Sequence, residues 1–197
     1  MKPLSRRRAL QAALAASAAH TFGSLAQSRP DAARLLREGG SVLLLRHAQT
    51  EAGMGDPPDF QLGQCRTQRN LSDAGRAQAM RIGQWFAAHK LSASSVQSSA
   101  WCRCTDTATL AFGSYALLPA LNSFFDSRGS QAAQTQALLE RLSSVRSGQF
   151  EVWVTHQVNI SAVTGEGPAV GEGFVVKLAD AGSQLAPARI LARTRFI

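Results

Sequence analysis

Three short segments concentrate the residue types able to handle a phosphoryl group: Arg46-His47-Ala48-Gln49-Thr50, Ser99-Ala100-Trp101-Cys102-Arg103 and Thr155-His156-Gln157. Each sets an arginine or a histidine where a strand-like run turns into loop or helix. Phosphoryl transfer needs cationic and N–H donors around the equatorial oxygens, together with an in-line nucleophile. Arg46 and Arg103 can grip oxygens through the two-pronged guanidinium fork. Helix N-termini following Ser99 and His156 can add backbone donors. A histidine among these positive groups is pushed towards its neutral form, so a ring nitrogen of His47 is free to attack. Each residue alone has a plainer reading: His47 as a structural histidine, Arg103 and Arg69 as helix-surface charges, Gln157 and Asn159 as caps. Trp101 reads as core or pocket wall.

The elements that must position these residues follow from periodicity. A short helix over Ala33 to Glu38 ends at Gly39-Gly40, and Ser41 to Leu45 is a continuous apolar run of the kind buried on both faces of a sheet. Gln49 to Asn70 carries Gly53, Gly55, Pro57, Pro58 and Gly63, too much punctuation for a helix or strand. Loops of this length are usually functional. Ser72 can cap a helix running to about His89, with Ala79, Ile82 and Phe86 on one face. A weak strand (Ser94 to Ser98), a helix (Ala100 to Phe112) and a strand near Ala116 to Leu118 follow. Then come an amphipathic helix (Gln131 to Arg146), a strand (Glu151 to Thr155) and a short helix (Asn159 to Val163). Phe174 to Leu178 and Ile190 to Phe196 read as two closing strands around a Gly182-Ser183 turn. Alternating strands and helices predict a three-layer α/β/α sandwich with a mostly parallel central sheet. Ligands of such sheets bind at the carboxyl ends of the strands.

Taken in order, four motifs resemble the histidine phosphatase superfamily over about Val42 to Ile160. They are Arg46-His47-Ala48, Asn70-Leu71-Ser72-x-x-Gly75, Ser99-x-x-x-Arg103-x-x-x-Thr107-Ala108, and Val154-Thr155-His156. The chain is similar in particular to small exported members, which include periplasmic phosphatases acting on lipopolysaccharide sugar phosphates. The resemblance implies a phosphoglycerate mutase-like fold and a covalent phosphohistidine mechanism. His47 would be the nucleophile, and Arg46, Arg103 and His156 would form the rest of the phosphate pocket. No metal or other cofactor is expected, since arginines and imidazoles supply the charge that magnesium supplies in kinases. Arg69, Asn70 and Gln157 are expected to touch the substrate. Gly53 stands where many members carry an asparagine, and Ser123 where many carry a glutamate. The acid that protonates the leaving oxygen is therefore expected at Asp126, with Glu51, Asp56 and Glu172 as alternatives. A catalytically degenerate phosphosugar- or phosphate-binding protein is the competing reading; phosphoglycerate mutase chemistry is a third.

Outside these motifs, residues 1–26 have the plan of a signal peptide: a basic head containing Ser5-Arg6-Arg7-Arg8-Ala9-Leu10-Gln11, an alanine-rich middle, and Ser24-Leu25-Ala26. The arginines suggest a twin-arginine-like export signal, residues 27–197 forming the domain and residing in the periplasm or otherwise outside the cytoplasm. Cleavage would remove Lys2, Arg6, Arg7 and Arg8, lowering the net charge from +8 to +4. The remaining arginines are scattered, without the basic run of a nucleic-acid surface. A small phosphorylated substrate accounts for them, and no apolar run of about 20 residues predicts stable membrane insertion of the mature chain. Cys65, Cys102 and Cys104 would meet an oxidising compartment. Cys102 and Cys104 are too close to pair easily, so Cys65 is expected to bridge one of them. A zinc site would lack its fourth ligand.

Overall fold

The computed structural model describes residues 31–53, 55–125, 129–179 and 187–196. The segment read as an export signal, the Gly182-Ser183 turn and Asp126 lie outside the described residues. Asp31 caps α1 (Ala32–Glu38) by accepting from the Ala33 N–H, and Gly39, at φ 68°, ends it. The apolar run forms β1 (Ser41–Arg46), buried along nearly its whole length. Ser72 caps α2 (Asp73–Ala88) by accepting from the Gly75 N–H at 3.1 Å. Then follow β2 (Ser95–Ser98), α3 (Cys102–Phe112), β3 (Ala116–Leu117), α4 (Gln131–Ser143), β4 (Phe150–Thr155), α5 (Gln157–Thr164), β5 (Glu172–Lys177) and β6 (Arg189–Arg195). Single 3-10 turns occupy Cys65–Thr67 and Pro119–Leu121.

The six strands form one sheet in the order β3-β2-β4-β1-β5-β6. β1 to β4 run parallel; β5 pairs antiparallel with β1, and β6 antiparallel with β5. Successive strand residues face opposite ways, which sorts the core into two layers. Leu43, Leu45, Val152 and Val154 pack with Leu36, Ile82, Phe86, Cys104 and Ala108 from α1, α2 and α3. Val42, Leu44, Trp153, Phe174 and Val176 meet Leu138, Leu142, Ile160 and Val163 from α4 and α5 on the other face. The expected three-layer arrangement is thus present.

Several boundaries differ from expectation, α3 beginning at Cys102 rather than Ala100 and β5 at Glu172 rather than Phe174 among them. β4 begins at Phe150 because Gly40 and Ser94 both take up backbone groups of the Gln149-Phe150 pair. α4 stops at Ser143, where the Ser144 N–H turns back to Arg141 and Leu142 and the chain bends to bridge Ser147 to Gly39. α5 begins two residues earlier than expected, which makes His156 its capping residue. Among the described residues no helix is long and apolar enough to cross a membrane.

Candidate active site

The carboxyl ends of β1, β2 and β4 are neighbours in the sheet, and the three motif segments meet there. The turn after β1 is pinned from two helices. The Ala48 N–H donates to Thr107 Oγ1 at 3.0 Å, and the Gln49 N–H donates to Gln78 Oε1 at 2.9 Å. Gly75 explains the first-turn glycine of α2: a Cβ there would stand 1.8 Å from the Gln49 carbonyl oxygen. Only a residue without a side chain lets the helix approach the strand end so closely. From the other side, the His47 N–H donates to the Thr155 carbonyl and the Gly171 N–H donates to the His47 carbonyl.

A pocket of about 440 Å³ opens at this edge, and Arg46, His47, Arg69, Arg103, His156 and Gln157 all line it. His47 and His156 are buried, their rings edge to face with centroids 5.5 Å apart. His47 Nδ1 lies 2.8 Å from the Ala48 carbonyl oxygen. A carbonyl can only accept, so Nδ1 carries the proton and the lone pair is on Nε2. Burial first, then the charge of Arg103 and more weakly of Arg46 and Arg69, pushes His47 down to about 3. Burial and the same arginines, with His47, hold His156 well below the usual range. His156 Nε2 is 2.8 Å from Ser99 Oγ, and Asn122 Oδ1 accepts from Ser99 Oγ and from the Ala100 N–H.

The guanidiniums are held at one edge and open at another. Arg46 Nη1 donates to the Pro168 carbonyl at 2.8 Å, while its buried Nε has no partner. Arg103 Nη1 lies 2.8 and 3.1 Å from the two oxygens of Asp56, and its buried Nε is likewise unpartnered. Arg69 donates from Nε to the Gly55 carbonyl at 2.8 Å and from Nη1 to Thr50 Oγ1. Desolvation and mutual repulsion lower the pKa of Arg46 and Arg69. Such crowding of positive charge is stabilised by an entering anion. Among the described residues no group of three or more His, Cys, Asp or Glu side chains could hold a metal ion.

Asp56, an alternative for the general acid in the sequence, is engaged differently. It accepts from the Arg69 N–H and from Trp101 Nε1, both at 3.0 Å, besides Arg103. Burial alone would raise its pKa, but the Arg103 contacts and these two donors outweigh it and hold the carboxyl below its ordinary range. An ionised carboxylate so engaged is a poor proton donor. Glu51 is exposed, and Glu172 accepts from the Ala169 N–H at 2.7 Å; neither lines the pocket. Ser123 does line it, its Oγ accepting from the Phe125 N–H.

Asn70 differs from its expected role. It does not line the pocket; its Nδ2 donates to the Cys65 carbonyl at 2.6 Å and so braces the loop. Cys65 bonds to Cys102, leaving Cys104 as a buried thiol whose pKa desolvation pushes up to about 12. The disulfide ties the 49–70 loop to the first turn of the helix carrying Arg103. Phe60 and Phe125 also line the pocket, and no motif announced them.

Residues 42–122 match the model of the histidine phosphatase superfamily (branch 1). Solved structures share the fold at low identity. A mycobacterial glucosyl-3-phosphoglycerate phosphatase is 17% identical with a TM-score of 0.57, over 77% of this chain and 97% of its own. A phosphoserine phosphatase mutant from Entamoeba histolytica, complexed with phosphoserine, is 13% identical with a TM-score of 0.56, over 79% and 97%. A protein histidine phosphatase complexed with tungstate is 16% identical with a TM-score of 0.50, over 79% and 97%. No curated protein matches the sequence.

Proposed function

We propose that this chain, whose residues 42–122 match the model of the histidine phosphatase superfamily (branch 1), is an exported, metal-independent phosphatase acting through a phosphohistidine. The observation that carries the reading is a pair of buried, unpartnered guanidinium Nε atoms, on Arg46 and Arg103, in one pocket with a neutral histidine. Leaving buried donors unpaired costs about 1–3 kcal/mol each, and an anionic ligand repays that cost on binding.

The phosphate enters with its oxygens on Arg46, Arg103 and His156, and Arg69 adds charge at the rim. His47 Nε2 attacks phosphorus, the P–O bond to the leaving group breaks, and the phosphoryl group moves to His47. Neutral imidazole is the nucleophilic form, and burial maintains it. Asp126 gives its proton to the leaving oxygen; the residue before it in the chain, Phe125, lines the pocket. Water then attacks the phosphohistidine, Asp126 takes the proton from that water, and phosphate departs. Gln157, in the first turn of α5, contributes to oxygen binding beside the helix N-terminus. The N-terminal basic and alanine-rich segment directs the chain out of the cytoplasm, into the periplasm where one exists.

The test is phosphate release from phosphomonoesters in the presence of a chelator. Turnover should persist with chelator and fall by about 10³-fold or more in His47→Ala. Unchanged turnover in that variant overturns the assignment of the nucleophile.

A further inference from the structure

We propose that the pocket is built for a phosphomonoester whose leaving group carries an aromatic ring. This rests on the reading that Arg46, Arg69 and Arg103 bind the phosphate. Three aromatic residues, Phe60, Trp101 and Phe125, line the same pocket. Phe60 and Trp101 stand with ring centroids 5.6 Å apart at an interplanar angle of 38°, and Trp101 abuts His156 at 5.4 Å. The Trp101 indole N–H is already given to Asp56, so the ring offers the pocket only its apolar surface.

Phe125 is the most exposed of the three. Its ring edge reaches the 49–70 loop, 3.7 Å from where a Cβ on Gly55 would stand, and the residue is 44% exposed. A large aromatic residue left this open at the rim of a pocket is suited to cover an incoming ring. Stacked and edge-on aromatic contacts supply that affinity.

The described lining residues offer few polar groups to a leaving group. Three guanidiniums against the single carboxylate of Asp56 leave two positive charges among the described lining residues, the complement of one phosphomonoester dianion. Asp56 is saturated by Arg69, Trp101 and Arg103, which leaves Ser123 and Gln157 as the uncharged polar side chains among the described lining residues. A sugar would bury several hydroxyls against phenyl rings with few partners, at a cost for each. The volume of about 440 Å³ is in the range, about 300–1,000 Å³, of small-ligand pockets.

The experiment compares benzyl phosphate, glycerol 1-phosphate and glucose 6-phosphate, all esters of primary alcohols, so that leaving-group basicity differs little among them. In parallel, calorimetry compares benzylphosphonate with methylphosphonate, which cannot be hydrolysed. Expected are a kcat/KM for benzyl phosphate and an affinity for benzylphosphonate each about tenfold or more above their comparators. Phe125→Ala should bring both ratios to within about threefold of unity, and Phe60→Leu should lower them without emptying the core. Equal or faster turnover of glucose 6-phosphate or glycerol 1-phosphate overturns the proposal, as does benzylphosphonate binding no tighter than methylphosphonate. Preferential benzylphosphonate binding without hydrolysis of any ester would sink the phosphatase reading and leave the ring site standing.

Discussion

Replacing Asp56 by asparagine tests how the arginine cluster is held. The Asp56 and Arg103 side chains are 9% and 6% exposed, and their closest approach is 2.8 Å. Asparagine preserves the shape but removes the counter-charge, and its NH2 group must face donors that now need an acceptor. Removing one partner of so buried a pair costs about 3 kcal/mol. In a domain of this size that corresponds to a fall in Tm of about 6–12 °C. Phosphate should reverse part of it, because the variant pocket gains one positive charge while losing an internal competitor for Arg103. At a concentration of about 100 Kd, phosphate adds about 2.7 kcal/mol. Thermal unfolding of wild type and Asp56→Asn, each with and without phosphate, reads both effects. The pH dependence is also determined by sign. Asp56 titrates lower folded than unfolded, so its contribution is complete above the unfolded value of about 3.9 and is lost as pH falls below it. The gap between the two proteins should therefore be constant near neutrality and close in acid. A Tm unchanged in phosphate-free buffer, or a variant that phosphate stabilises less than wild type, would refute the reasoning.

Other consequences are equally concrete. The His47 imidazole should stay neutral at pH 5 in nitrogen-detected NMR spectra, with its proton on Nδ1, and His156 should take up a proton only well below the ordinary histidine range. Because His47 is held at about 3 against an unfolded value of about 6.5, stability should decline as pH falls below about 6.5. Non-reducing peptide mapping should find Cys65 joined to Cys102 and Cys104 free. The separation of 37 residues makes the double variant Cys65→Ser/Cys102→Ser about 2–4 kcal/mol less stable by urea unfolding. Gly75→Ala drives a methyl group into the Gln49 carbonyl; it should cost about 3 kcal/mol and lower kcat by about 10²-fold by displacing the strand end that carries His47.

What the sequence made legible, and what it did not, divides along a physical line. The apolar run Ser41 to Leu45 could only be an interior strand, and the Ala79, Ile82, Phe86 stripe could only face a core. Local composition therefore located Arg46, His47, Arg103 and His156 at strand ends. Parallel order then brought those ends together, since β1 and β2 both flank β4. The 49–70 loop resisted such reading because its contacts are made with distant elements. The grip of Asp56 on Arg103 spans 47 residues, and Asn70, which looked like a substrate contact, instead satisfies a loop carbonyl. The disulfide could be narrowed to Cys65 but not further: residues two apart on a helix point about 200° away from each other. Only the packing of α3 decides that Cys104 faces the core while Cys102 faces the loop.

The most direct test of the nucleophile assignment is to quench a reaction with benzyl phosphate or an aryl phosphate under alkaline conditions and map phosphorylation by mass spectrometry. Expected is a single phosphohistidine at His47, absent from His47→Ala and unaffected by chelator. Active enzyme that yields no phosphorylated His47, or carries the phosphoryl group on another residue, would contradict it.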